Sequence, residues 1–183
     1  LSRSFRSSVA DNAAIENILS RRSIRRFDIS QPVSQEDLAA ILECACAAPS
    51  AGNYLSRHFV AVSDRAILDS LASVMVYGKA LASAVLAIVV CKENIDKNMA
   101  LSSWKEDCAA SMENILLAAN ALGLGGVWLG VRSPSSEAES VIKEILNIPA
   151  DAAVLGIAAI GHPFESHDPH NGIDCASLHI NKW

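Results

Sequence analysis

Charge is scarce in this chain. Only 19% of its 183 residues are charged, against 51% hydrophobic, and the mean hydropathy is +0.26. The balance is acidic, with a net charge of -5 and a pI near 5.5, which argues against nucleic acid as a general partner. A membrane-spanning run is missing too. The longest apolar stretch, "ALASAVLAIVVC" at residues 80–91, is bracketed by Lys79 and Lys92 and is too short for a bilayer. The opening residues "LSRSFRSSVADN" carry no apolar core and do not read as a secretory signal, although the chain does not open on methionine.

The usual catalytic signatures are absent as well. There is no GxSxG, no GxxxxGK[ST], and no Ser/His/Asp set that the sequence alone can assemble. The five histidines (His58, His162, His167, His170, His179) show no HExxH spacing. The cysteines, Cys44, Cys46, Cys91, Cys108 and Cys175, are odd in number and form no CxxC, so they read as reduced thiols of a cytoplasmic protein. Cys44 and Cys46 lie two apart on a predicted helix and do not face each other, and no metal site is expected. "LGLGGVWLG" contains G-x-G-G but follows a helix instead of opening one, so it is rejected as a dinucleotide fingerprint. A chain without acid, base, nucleophile or metal can still be an enzyme when a cofactor carries the chemistry.

What is present reads as one domain over 1–183, with residues 1–10 a flexible tail and no repeat or linker. A chain this apolar is expected to bury a second face in an oligomer. Ile15, Ile18 and Leu19 at helical spacing predict a helix over 11–21. Ser34 as cap, Glu36 and Asp37 in the first turn, the stripe Leu38, Ile41, Leu42 and Ala45, and Pro49 as stop predict a second. Strands are expected at 58–63 and 84–91, with a short helix at 64–74 between them. A long helix follows at about 102–122, with Ala109, Met112, Ile115, Leu116, Ala119 and Leu122 on one face. "GGVWLG" is a short strand, "SPSSEAESVIKEILNIP" a capped helix with Val141, Ile142, Ile145 and Leu146 inward, and 152–161 a buried strand. From His162 the chain is polar and irregular. Strands alternate with helices, so helices should cover both sheet faces.

Three stretches are candidates for chemistry. "RRSIRRF" (21–27) crowds Arg21, Arg22, Arg25 and Arg26 just past a helix of an acidic chain. Guanidinium forks bind phosphate bidentately, and Ser23 can complete the shell; alternatively the cations simply cap the helix end and are solvated. "APSAGNYLSRHF" (48–59) makes a tight loop with exposed amides, suited to a planar heteroaromatic ring or serving as a plain connection. In "ALGLGGVWLG", Gly125 and Gly126 either let another group approach the backbone or form a tight helix-to-strand link.

Taken in order with "AAIGHPFE" and the terminal "NKW", these stretches resemble the nitroreductase family of flavoproteins, over almost the whole chain from residue 12. The resemblance implies an α+β fold, a central mixed β-sheet flanked by helices, in an intertwined homodimer with FMN at its interface. It implies that Arg21, Arg22, Ser23 and Arg25 hold the FMN phosphate, ribityl chain and ring edge. It implies that Pro49, Ser50, Ala51, Gly52 and Asn53 of the other subunit pack on the flavin, and that Gly125, Gly126 and Val127 approach the ring with their backbone. NAD(P)H would then reduce the flavin by hydride transfer, and a small acceptor such as a nitroaromatic or quinone would be reduced in the same open face, with no catalytic side chain needed. The chain departs from the family pattern twice. Leu55 stands where a polar ring contact is usual, and after Pro163 only His167 and His170 are available where a basic phosphate ligand is usual. If His170 fills that role, phosphate affinity falls as pH rises. These departures leave open a flavin-binding protein that stores or senses flavin without NAD(P)H turnover, or a structural dimer with solvated arginines.

Overall fold

Three helices begin where the sequence supplies an acceptor for their first free amides. In the computed structural model, which describes residues 12–93, 103–131, 137–169 and 178–183, Asn12 Oδ1 accepts the N–H groups of Ala14 and Ile15 to open α1 (Ala13–Ser20). Ser34 Oγ accepts from Asp37 to open α2 (Gln35–Cys46), as its sequence predicts. Asp64 accepts from Ile67 to open α3 (Arg65–Val74). Between α2 and α3 lies β1 (Arg57–Val62); α4 (Lys79–Ser83) and β2 (Leu86–Lys92) follow, then α5 (Trp104–Ala121), β3 (Gly125–Gly130), α6 (Glu137–Leu146) and β4 (Ala153–Gly161).

The strands form one sheet in the order β1-β2-β4-β3. All three ladders are antiparallel. In place of the expected mixed sheet, the parallel element among the described residues is the isolated bridge between Ser23 and Gly126. The inner strands, β2 from Leu86 to Cys91 and β4 throughout, are apolar because both of their faces are covered. Leu86, Ile88 and Val90 pack with Ile41, Met112 and Ile115 of α2 and α5. The alternate residues Ala87, Val89 and Cys91 pack with Leu68, Leu71 and Ile142 of α3 and α6. Register shifts between Val90 and Cys91, where β4 carries Leu155 as an extra residue, and this bulge flips the side-chain alternation of β4.

Helix α5 is the axis of one layer. Met112, Ile115, Leu116 and Ala119 are buried against the sheet, while Leu122 lies past the helix end and is 40% exposed. Helix α1 is held on α5 by amides: Asn17 Nδ2 donates to Leu117 O at 3.0 Å, and Asn120 Nδ2 donates to Asn17 Oδ1 at 2.7 Å. Yet none of its residues is buried, and Ile15, Ile18 and Leu19 are 36%, 55% and 47% exposed. The apolar stripe that predicts this helix is therefore not covered by the described residues.

Cys44, Cys46, Cys91 and Cys108 are unpaired. Burial raises the Cys91 and Cys108 thiols to about 11 and about 12, so both stay protonated at neutral pH. No described helix is long and apolar enough to cross a membrane, and no group of three or more potential metal ligands occurs among the described residues.

Candidate functional site

Arg21 is the C-cap of α1, and Arg25 and Arg26 are exposed, but the backbone of the arginine stretch is docked on the sheet. After α1 the chain becomes extended and lies along the open edge of β3. Ile24 N–H donates to Gly126 O at 3.0 Å, and Ser23 bridges Gly126. The far end is pinned beyond β4: Asp28 N–H donates to His162 O and Phe164 N–H to Arg26 O, each at 2.9 Å. Ile24 and Phe27 are buried, 8% and 5% exposed, and act as the two apolar anchors of "RRSIRRF". Their spacing leaves the four arginines outside the core.

The surroundings of those arginines are only partly neutral. Arg21 Nε lies 3.4 Å from Glu113 Oε1. Arg25 Nη1 donates to Ser23 O at 3.1 Å, and Arg26 sits over the Phe164 ring at 5.7 Å. Arg22 is half-buried, and among the described residues neither its guanidinium nor the Ser23 hydroxyl has a partner. Glu165 Oε1 accepts the backbone N–H of Arg25 at 2.6 Å. That bond, ahead of the nearby His167, holds the Glu165 carboxyl below its ordinary range. Asp28 closes the adjoining turn by accepting from Ser30 N, Ser30 Oγ and Gln31 Nε2, and these bonds lower its carboxyl to about 2.

The glycines beside this stretch are occupied by the chain itself. A Cβ at Gly125 would sit 2.8 Å from Ile24, and one at Gly126 would sit 3.0 Å from Leu116. The close approach read from the sequence is real, but the approaching groups are the anchor of the arginine segment and the underside of α5. Val127 is buried in the core on the α3 and α6 side.

The third stretch lies elsewhere. Ala51–Asn53 form one turn of 3-10 helix, and Gly52, Asn53 and Leu55 all have positive φ, at 57°, 55° and 51°. The turn is closed by Asn53 N–H to Ser50 O and by Leu55 N–H to Ser50 Oγ at 3.2 Å. Tyr54 and Leu55 are 74% and 54% exposed. The loop hangs from the start of α5, where Asp107 Oδ1 accepts Ala51 N–H at 2.9 Å. It also hangs from Arg57, whose Nη2 donates to the carbonyls of Cys46 and Ala48. The other guanidinium nitrogens of Arg57, Nε and Nη1, are buried with no partner among the described residues.

The structure thus brings Arg21, Arg22, Ser23 and Arg25 to Gly125, Gly126 and Val127, but holds Pro49, Ser50, Ala51, Gly52 and Asn53 apart from them. Helix α5 has 18 residues and so is about 27 Å long. The loop is tied to its first turn and the glycines follow its last. Asp107 and Glu113, which receive Ala51 and Arg21, lie about 9 Å apart along the axis and project about 120° apart around it. His170 lies outside the described residues, as do residues 1–10. Asp107, Arg57 and Glu165 are contributors that sequence reading does not reach.

The sequence profile of the Nitroreductase family matches residues 18–98 and 77–162. This chain belongs to the nitroreductase family. A relative from Archaeoglobus fulgidus, provisionally named NADH dehydrogenase/NAD(P)H nitroreductase, is 38% identical over 172 residues, covering 92% of this chain and 98% of that protein. Among solved structures, the FMN-dependent nitroreductase of Clostridium difficile R20291 superposes with a TM-score of 0.83 at 31% identity, covering 92% of this chain and 99% of that one. The NADPH:FMN oxidoreductase of Vibrio harveyi complexed with NAD+ gives 0.77 at 26% identity, covering 94% and 78%. The nitroreductase fold expected from the sequence is the fold observed.

Proposed function

We propose that this protein is an FMN-dependent NAD(P)H oxidoreductase working as a homodimer, with one flavin site at each end of a shared seam. The observation that carries this reading is the division of the binding stretches along α5. The separation of the arginine segment from the 49–53 loop supports a site that takes the two from different copies of the chain. The residues fit FMN. A half-buried guanidinium and a hydroxyl without partners, Arg22 and Ser23, stand beside Arg21 and Arg25 in a segment that carries excess positive charge. That is the donor set a phosphate monoester requires.

In this reading Arg21, Arg22, Ser23 and Arg25 hold the phosphate end, and Ile24 and Phe27 keep their backbone rigid against the core. Gly125, Gly126 and Val127 supply the main-chain wall of the pocket. Pro49, Ser50, Ala51, Gly52 and Asn53 of the second copy cover the ring, with the Asn53 side chain and loop amides as hydrogen-bonding groups. His170 adds a pH-dependent phosphate contact. Bound FMN supplies the redox chemistry, carrying a hydride from NAD(P)H to a small acceptor such as a nitroaromatic or quinone. No side chain of this chain is needed as acid or base. The exposed Ile15, Ile18 and Leu19 form part of the seam, and the unpaired cysteines suit the cytoplasm.

The test is a visible spectrum of the purified protein, or of protein incubated with FMN, repeated anaerobically with NADH and with NADPH. The expected result is a flavin spectrum that bleaches with at least one nicotinamide and returns with the acceptor, in ping-pong kinetics. Yellow protein that never bleaches would favour a flavin-storing or flavin-sensing role. A colourless protein that FMN does not stabilise would end the proposal.

A further inference from the structure

We infer that Asp107 is a positioning residue for the flavin site. It sits in the first turn of α5, and its carboxylate accepts the N–H of Ala51 at 2.9 Å. That N–H opens the 3-10 turn at the tip of the 49–53 loop. The inference rests on the functional reading above in one respect only, namely that this loop covers FMN.

The local geometry explains why such a tether matters. Gly52, Asn53 and Leu55 all adopt positive φ. That conformation is unfavourable for leucine, which has a Cβ and no short polar group to offset it. The loop is exposed from Ala51 to Leu55, so packing does little to hold it there. Its shape comes from a few hydrogen bonds. Arg57 fixes the carbonyls of Cys46 and Ala48 behind it, and Ser50 closes the turn through Leu55 N–H and Asn53 N–H. Among the described residues, only the Asp107 bond ties the tip to a distant element of the fold. Without it the turn is free to swing about Pro49, and a ligand would have to order the loop on binding, which weakens affinity.

An acidic residue in the first turn of a helix also favours the helix dipole, so the hydrogen bond has to be separated from the charge. Asp107→Asn keeps a carbonyl oxygen where the acceptor stands and removes the charge, whereas Asp107→Ala removes both. In the apo protein, hydrogen exchange of the segment 50–56 is expected to speed up in D107A and to stay near wild type in D107N. FMN dissociation constants, read by flavin fluorescence, should rise roughly tenfold in D107A, the size of one charge-assisted hydrogen bond, and about twofold or less in D107N. If D107A does not fold, Ala51→Pro removes the donor of the same bond from the other side. Ser50 is already extended, as a residue before proline must be, and the same loss of FMN affinity is expected. Unchanged exchange and affinity in D107A would overturn the inference, as would a D107N protein that behaves like D107A. Should wild-type protein bind no FMN, the functional reading fails, while the exchange experiment still decides whether Asp107 orders the loop.

Discussion

Glu165 accepts the backbone N–H of Arg25 at 2.6 Å, joining the exit of β4 to the arginine segment across 140 residues of chain. The bond is made by main chain and does not engage the guanidinium, whose Nη1 donates to Ser23 O instead. Glu165→Ala should destabilise the fold by about 0.5–1 kcal/mol in urea unfolding, at the low end for a charge-assisted bond because solvent reaches the carboxylate. No change in midpoint would mean the segment is held by Ile24 and Phe27 alone.

The same bond gives a pH dependence with a definite sign. Glu165 is held below its ordinary range by Arg25 N–H, and Asp28 is lowered to about 2 by Ser30 and Gln31. Both therefore contribute stability that is fully present above the unfolded carboxylate values, near 4, and is lost as pH falls from there through the folded values. The melting temperature should fall between about pH 5 and pH 2, and Glu165→Ala should flatten that slope. A slope identical in the variant would contradict the assignment.

Arg22 has no partner among the described residues, so its removal should leave the apo fold nearly unchanged while weakening FMN binding. Arg22→Ala is expected to raise the FMN dissociation constant tenfold or more, the scale of a charged hydrogen bond. Riboflavin, which lacks the phosphate, should bind the variant and wild type alike. Equal losses for both ligands would move Arg22 away from the phosphate.

Gly125 is a packing requirement. With a Cβ only 2.8 Å from Ile24, Gly125→Ala must push the arginine segment off the β3 edge, at about 1–3 kcal/mol. Ile24→Ala, which removes the two contacting γ carbons, should therefore cost less in the Gly125→Ala background than in the native chain. Strict additivity of the two substitutions would refute the contact.

The apolar stripe of α1 predicts association. Ile18→Asp, at a position 55% exposed in the single chain, should leave the monomer folded and shift the mass measured by light scattering from dimer to monomer, with loss of bound flavin. An unaltered dimer would place the seam elsewhere.

How far the sequence could be read follows from the range of each signal. β2 and β4 were legible because burial on both faces demands an unbroken apolar run. Ser34 was legible as a cap because its partner, Asp37, is three residues away. The helical period of Ile15, Ile18 and Leu19 marks α1 but does not say what covers it. Gly125 was read as making room, which it does, for Ile24. The ties that shape the site were out of reach. Ala51 and Asp107 are 56 residues apart and Arg25 and Glu165 are 140 apart. Each joins a side-chain carboxylate to an ordinary backbone amide, which leaves no pattern in the sequence. The parallel pairing of Ser23 with Gly126 joins an irregular segment to a sheet edge, so no strand periodicity announces it.

Because the arginines and the 49–53 loop attach at separate points on one helix, damage to them in the proposed dimer would be separable by inheritance. A chain crippled only in the first, mixed with a chain crippled only in the second, would assemble hybrids in which one flavin site carries both lesions and the other carries neither. Two inactive preparations, unfolded and refolded together, would regain a share of the activity that neither has alone.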